Sequence, residues 1–145
     1  MKKNILILLV LFCFINCKTQ NQVISLSSPE ARSSKIGAYY KDVENELLPF
    51  LGSWKFTNGN TTFQMTLIKK TMIYNDIGNY YNDMVIGEYL YKENGVEKVN
   101  TINLLANTTL DPYEHNISGK IILHKNSIPP CNDCQTSEKR LYLYF

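Results

Sequence analysis

Cysteine and histidine are the residues of this chain best suited to chemistry. Cys131 and Cys134 are separated by two residues and follow a pair of prolines. Such a pair can act as a redox centre, provide half of a zinc site or close a local disulfide. A redox pair needs a helix after its first cysteine, and none is indicated here. A zinc site needs four ligands, which only His115 and His124 could complete. We favour a disulfide, which in so short a loop fixes local shape.

The other ionisable residues form no recognisable catalytic motif. The sequence contains neither a Gly-x-Ser-x-Gly nucleophile elbow nor a His-Glu-x-x-His metal-binding pair. Its carboxylates, among them Glu44, Glu46, Glu88 and Glu93, fall on expected helix or turn surfaces, where solvated charge is the ordinary role. We therefore predict a protein that is not an enzyme, with no cofactor and no bound metal.

The first seventeen residues have the pattern of an export signal. Lys2 and Lys3 precede the apolar run Ile5–Ile15, whose 11 residues are too few for a spanning helix. Cys17 follows this run, and the segment resembles a loose bacterial lipobox. We predict a signal peptide at residues 1–16 and lipid attachment at Cys17, with plain secretion as the alternative. No acidic run follows Cys17, so we expect the anchor on the periplasmic face of the outer membrane.

Removal of the signal would leave a neutral chain. The full sequence has 15 Lys and Arg against 13 Asp and Glu, and its isoelectric point is 8.3. The signal carries two lysines and no acid, so the two totals become equal after cleavage. A neutral chain with only two arginines lacks the basic patch of nucleic-acid-binding proteins. Nucleic acid is therefore not an expected partner, whereas the membrane is expected as a partner through lipidated Cys17.

The exported part is predicted to have a tether, one short helix and a β domain. Residues 17–36 are polar and rich in Ser, Gln and Asn, which is typical of a flexible linker, although residues 23–26 carry a weak strand signal. Residues 37–145 form the expected single domain. Its helix would begin at Asp42 as N-cap and would be stopped early by Pro49.

The rest of the domain has the alternation of β-strands. Asn58-Gly59 and Asn94-Gly95 are typical of tight hairpin turns, and alternating apolar runs flank both of them. Further alternating runs cover residues 117–124 and 141–145. We predict an all-β fold in which an antiparallel meander closes as a barrel, with a β-sandwich as the alternative.

Two resemblances support this fold. The Gly52-Ser53-Trp54 triplet resembles the opening of lipocalin-like barrels, which implies that Trp54 closes one end and that Arg140 stacks across it. The blocks at residues 50–55, 58–63 and 86–96 are together similar to an uncharacterised family of small bacterial secreted proteins and lipoproteins. That resemblance covers residues 39–145, and no functional residues come with it.

Tyrosines recur on the expected strands, where they either pack with the hydroxyl at the rim or form a binding face.

The fold and the absence of catalytic motifs lead to two hypotheses. The first is a membrane-anchored, non-enzymatic protein that binds a small apolar ligand inside the barrel. The alternative is a protein-binding inhibitor or immunity-type lipoprotein that uses a tyrosine-rich face or the Cys131–Cys134 loop.

Overall fold

The computed structural model describes residues 21–145, which form one eight-stranded sheet and four short 3₁₀ turns. The strands are β1 (Val23–Ser25), β2 (Tyr39–Lys41), β3 (Gly52–Asn58), β4 (Thr61–Asn75), β5 (Tyr80–Glu93), β6 (Val96–Asn100), β7 (Ile117–Leu123) and β8 (Arg140–Tyr144). The 3₁₀ turns span Pro29–Arg32, Leu48–Phe50, Ile102–Ala106 and Pro112–Glu114. The predicted signal peptide and Cys17 lie outside the described residues. Within residues 21–145, no helix has the length and apolar character needed to cross a membrane.

Strand β5 is the centre of the sheet. Strand β4 pairs antiparallel with β5 along one edge, and β3 pairs with β4 outside it. Along the other edge β2, β7 and β6 pair with successive parts of β5. The outermost strands are β1, which pairs with β2, and β8, which pairs with β7. The predicted all-β class is confirmed, and β3 to β6 form the expected antiparallel meander. However, β1, β2 and β5 run parallel, so the sheet is mixed.

The sheet is open, which corrects the predicted lipocalin-like barrel. In the described part of the chain β3 pairs with β4 alone, and no strand connects it to the opposite edge. Only one sheet is present in residues 21–145, so a sandwich of two sheets is not observed either. Alternation and turn residues specify strands and hairpins locally, whereas closure depends on the register between strands that are distant in sequence.

The predicted helix is also absent. Turns follow Asp42, and Leu48–Phe50 is a single 3₁₀ turn. Asn45 adopts a φ of 55°, which interrupts right-handed helical geometry. Asp42 nevertheless acts as a cap, because its Oδ1 accepts the Glu46 amide at 2.7 Å and its Oδ2 accepts the Leu47 amide at 3.3 Å. The capping residue was thus recognised, but the helix that it was expected to start does not form.

The folded domain begins earlier than predicted. Strand β1, Val23–Ser25, lies inside the predicted tether and pairs in parallel with β2. Ile24 packs in a buried cluster with Ala38 and Tyr40. The weak strand signal at residues 23–26 was therefore real, and the boundary moves from residue 37 back to at least Val23.

The middle of β5 is buried on both faces. Residues 82–88 are all buried, although successive side chains of a strand point to opposite faces. On one face Val85 packs with Leu47, Leu67 and Ile117 in the main apolar cluster. The other face is contacted by the connection between β6 and β7, residues 101–116. Polar side chains on this second face therefore need partners inside the protein.

Gly119 allows β8 to approach β7 closely, and its replacement by alanine should destabilise the domain. An added Cβ would lie 2.2 Å from the main-chain oxygen of Tyr142, which cannot move without shifting the strand. We expect a loss of about 1–3 kcal/mol in the free energy of unfolding, measured in urea. The control is Ser118→Ala on the same strand, for which a smaller change is expected. A loss of less than about 0.5 kcal/mol for Gly119→Ala would contradict the close approach.

Candidate functional site

Lys120 on β7 is a partly buried cation without an acidic partner. Its Nζ donates hydrogen bonds to Tyr80 Oη at 3.0 Å and to Asn82 Oδ1 at 3.1 Å. It also lies over the Tyr80 ring, 4.6 Å from the centroid. None of the ion pairs within residues 21–145 involves Lys120. The site therefore holds a positive charge that protein carboxylates do not balance.

Burial shifts the pKa values of both Lys120 and Tyr80. It lowers the pKa of Lys120 to about 8, because removal from water disfavours the charged amine. It raises the pKa of Tyr80, because the same effect disfavours the phenolate. At neutral pH the site thus consists of an ammonium group beside a neutral hydroxyl.

Asn82 holds the amine from the buried side. Its Oδ1 also accepts a hydrogen bond from Tyr113 Oη at 3.0 Å, while its Nδ2 has no partner within the described residues. Tyr113 is positioned by the turn Pro112–Glu114, in which its main-chain amide donates to Asp111 Oδ1 at 2.8 Å. Strands β5 and β7 and the 101–116 connection together place Lys120.

Lys120 and Tyr80 line a cleft of about 910 Å³, bounded by β7, by residues 26–34 and by the loop 124–128. Its aliphatic lining residues are Leu26, Pro29, Ala31, Ile121, Ile122, Leu123 and Ile128. Serines 27, 28, 33, 34 and 127 contribute hydroxyl groups. Small-molecule sites are commonly clefts of roughly 300–1,000 Å³ with mostly apolar walls and few polar groups. The cleft has this volume, and nine of its 17 lining residues are aliphatic or aromatic.

Replacing Lys120 with methionine should stabilise the domain at neutral pH. The pKa of Lys120 falls from 10.5 to about 8 on folding, so between these values the unfolded state binds more protons and stability rises with pH. Below pH 8 the penalty for the buried charge is complete, and its removal should add roughly 1 kcal/mol after allowance for solvent screening.

Urea unfolding at pH 7 and at a pH well above the unfolded-state pKa of 10.5 tests this expectation. The advantage of Lys120→Met should shrink at the higher pH, where the native amine is neutral in both states. Lys98→Met, at an exposed position, is the control and should show no such pH-dependent advantage. An advantage of Lys120→Met that is equal at both pH values would contradict the prediction.

A second polar cluster surrounds Glu88 on β5. The Glu88 side chain is fully buried, and His115 Nδ1 lies 2.8 Å from its Oε1. Asn116 Nδ2 donates to Oε2 at 2.5 Å. Burial alone would raise the pKa of Glu88, but hydrogen bonds from Thr101, Asn116 and His115 outweigh it and lower that pKa. Glu88 does not line the cleft, so we assign this cluster to stability.

A third cluster is centred on Asp83 and joins β2, β4 and β5. Asp83 Oδ1 accepts the Tyr39 hydroxyl at 2.6 Å and the Met72 amide at 3.0 Å. Lys69 Nζ lies 2.7 Å from Asp42 Oδ2 and 3.7 Å from Asp83 Oδ2. Burial, followed by the contact with Asp83, raises the pKa of Tyr39 to about 12. This network pins the β-bulge of β4 to its neighbours.

Most of the residues singled out from the sequence lie outside the cleft. Cys131 and Cys134 are placed as a disulfide with a Cα–Cα distance of 5.4 Å. His115 is buried against Glu88, and His124 lies in the wall of the cleft. Within residues 21–145, no three His, Cys, Asp or Glu side chains are arranged to hold a metal ion.

Trp54 and Arg140 have different partners. Trp54 Nε1 donates to the main-chain oxygen of Phe50 at 2.9 Å. Arg140 Nη2 donates to the main-chain oxygens of His124 at 3.1 Å and Pro129 at 3.0 Å. In the described region the cation–π contact is that of Lys120, and the expected Trp54–Arg140 stacking is not observed. Arg140 instead ties β8 to the loop before it.

Sequence reasoning missed Lys120. A signal was present, since Lys120 is the only charged residue within the run Ile117–Leu123. A lone lysine in an apolar strand lies either at the solvent face or in a site, and the alternation gives no means of choosing between them.

The structure is that of an all-β protein with an open mixed sheet and a cleft beside β7. The chain matches the model of DUF6705, a family of unknown function, over residues 1–145, and it belongs to that family. No curated protein and no solved structure matches the chain significantly. The predicted membership of an uncharacterised domain family is confirmed, whereas bacterial origin and export stay predictions.

Proposed function

We propose that this protein is a non-enzymatic, membrane-anchored lipoprotein that binds a small, largely apolar ligand in the cleft beside β7. The cleft itself, about 910 Å³ with seven aliphatic residues among the 17 that line it, is the observation that carries the proposal. Ile121 and Ile128, which line it, leave 43% and 90% of their surface exposed. Lipidated Cys17 would hold the domain at a bacterial membrane, where apolar molecules are concentrated.

The ligand position differs from the one expected for a barrel. The apolar face of the sheet is covered by protein side chains, among them Leu47, Val85 and Ile117, which are fully buried. The space for a ligand lies instead between β7 and the N-terminal segment that contains Pro29–Arg32. A ligand bound there would gain up to about 0.8 kcal/mol of binding free energy for each methylene group that it buries.

A series of straight-chain alcohols tests the proposal. Calorimetry with the purified protein should show a dissociation constant that tightens roughly two- to fourfold per added methylene until the cleft is full. Ser34→Trp places a large ring at the exposed wall of the cleft and should weaken binding at least tenfold. Ser137→Trp is the matched control, because Ser137 is exposed outside this cleft. Absence of binding at every chain length would refute the proposal.

Protein binding is the second candidate, and an exposed aromatic patch favours it. Trp54 on β3 lies opposite Met65, and Phe56 lies opposite Phe63, so these side chains share one face of the sheet. Trp54 and Phe56 are 47% and 62% exposed, and β3 is the sheet edge. An aromatic patch beside an open edge strand is typical of surfaces that receive another polypeptide.

Photo-crosslinking in the cell envelope distinguishes the two candidates. A photoreactive phenylalanine at position 56 should give one defined protein adduct if the patch is an interface. The same group at Thr57, on the opposite face of β3, is the control. Equal labelling from both positions would exclude a specific partner at the patch.

A further inference from the structure

We propose that Lys120 and Tyr80 bind the carboxylate of an amphipathic ligand of the fatty-acid class, whose apolar chain lies along the cleft. The inference rests on the proposed ligand-binding function and names the ligand class.

The two residues offer unused hydrogen-bond donors at one place. An ammonium group has three donors, and Lys120 Nζ uses two of them, for Tyr80 Oη and Asn82 Oδ1. Tyr80 Oη accepts from Lys120, so its own proton remains available, and it has no acceptor within residues 21–145. Both residues line the cleft. A carboxylate only accepts hydrogen bonds, and it can take one from each.

The charges around the cleft favour a single negative group. No Asp or Glu is among its described lining residues, whose other titratable side chains are Tyr40 and His124. The nearby Glu30 is paired with Lys35 at 2.8 Å and does not line the cleft. One ammonium group matches a monoanion, whereas a phosphate dianion would retain an unbalanced charge.

The partial burial of Lys120 strengthens the attraction between its ammonium group and a ligand carboxylate. Tyr80 covers the Lys120 amine on one side, and Asn82 binds the amine on its buried side, so water screens its charge only in part. An incoming carboxylate would balance the charge and favour the protonated amine. Binding above pH 8 should therefore take up a proton, which calorimetry in buffers of different ionisation enthalpy detects.

Three ligands of equal chain length form the test: dodecanoate, dodecanol and dodecyl phosphate, each titrated into the purified full chain at pH 7. We expect dodecanoate to bind at least tenfold more tightly than dodecanol. Lys120→Met should remove that advantage, so that dodecanoate and dodecanol bind this variant with similar affinity, and cooperative urea unfolding of the variant shows that it is folded. Tyr80→Phe should weaken dodecanoate binding several-fold and so reduce the ratio of the two affinities.

The outcomes separate this inference from the function on which it rests. Equal affinity for dodecanoate and dodecanol in the native protein would overturn the carboxylate site and leave the apolar cleft standing. Tighter binding of dodecyl phosphate than of dodecanoate would overturn it in favour of a phosphate-headed lipid. Binding of none of the three would overturn both proposals.

Discussion

Replacing Glu88 with alanine should destabilise the domain by about 3–5 kcal/mol, because it breaks a buried charged network. The carboxylate is fully buried and accepts from His115 Nδ1 at 2.8 Å and from Asn116 Nδ2 at 2.5 Å. Alanine would leave these donors without an acceptor beneath the 101–116 connection. An unsatisfied buried polar group alone costs about 1–3 kcal/mol.

Urea unfolding measures this effect against two comparison variants. Glu88→Gln keeps the shape and one acceptor, so its loss should be smaller than that of alanine. Glu97→Ala removes an exposed carboxylate that lies 3.9 Å from Lys92, and should change stability by less than about 1 kcal/mol. A loss for Glu88→Ala no larger than that for Glu97→Ala would contradict the role of the network.

The stability difference between the native protein and Glu88→Gln should also depend on pH. Hydrogen bonds hold the pKa of Glu88 below its ordinary value of 4.5, so the folded state favours the ionised form. The resulting stability is fully present above pH 4.5 and is lost as the pH falls through the folded-state pKa. The stability difference between the native protein and Glu88→Gln should therefore narrow in acid. A difference that widens in acid would show that folding raises the pKa of Glu88 instead of lowering it.

The second large effect is expected for Asp83→Ala, again about 3–5 kcal/mol. Asp83 Oδ1 accepts from Tyr39 Oη at 2.6 Å and Met72 N at 3.0 Å, and Oδ2 accepts from Asp42 N at 3.0 Å. Three donors would lose their acceptor together, and Lys69 would lose one of its two carboxylate neighbours. The damage should centre on the β4 bulge and on β2.

A double-mutant cycle tests the origin of this effect. Tyr39→Phe alone should cost about 0.5–1.5 kcal/mol, and little further loss should follow when it is combined with Asp83→Ala. Asp76→Ala, at an exposed turn position, is the control for removal of an aspartate. Additive losses in the double variant would show that Tyr39 and Asp83 do not interact.

Local features of this fold could be predicted from the sequence. The Asn94-Gly95 turn joins β5 to β6 with φ values of 51° and 75°, which are the positive angles that this residue pair favours. Gly59, with a φ of 55°, serves the β3–β4 hairpin. These predictions succeeded because a two-residue turn and its flanking alternation are complete within a few residues of chain.

Features that depend on distant residues could not be predicted. The helix expected after Asp42 does not form, because Asn45 adopts a φ of 55°. Asp42 itself is bound by its main-chain amide to Asp83, a residue 41 positions away. The sheet does not close into a barrel because, within residues 21–145, β3 pairs with β4 alone and no strand from the opposite edge reaches it. Neither the absence of the helix nor the openness of the sheet can be predicted from the local sequence.

By itself, then, the sequence determined the all-β class, the hairpins and the strand alternation, because period-two patterning and turn chemistry are local properties. Only the tertiary structure decided that the sheet stays open, that Val23–Ser25 joins it, and which polar groups meet. Lys120 lies 38 positions from Asn82, and His115 lies 27 positions from Glu88. Such pairs form because burying the apolar faces of β5 sets one register for all its neighbours, and any polar group buried with them must find a partner there.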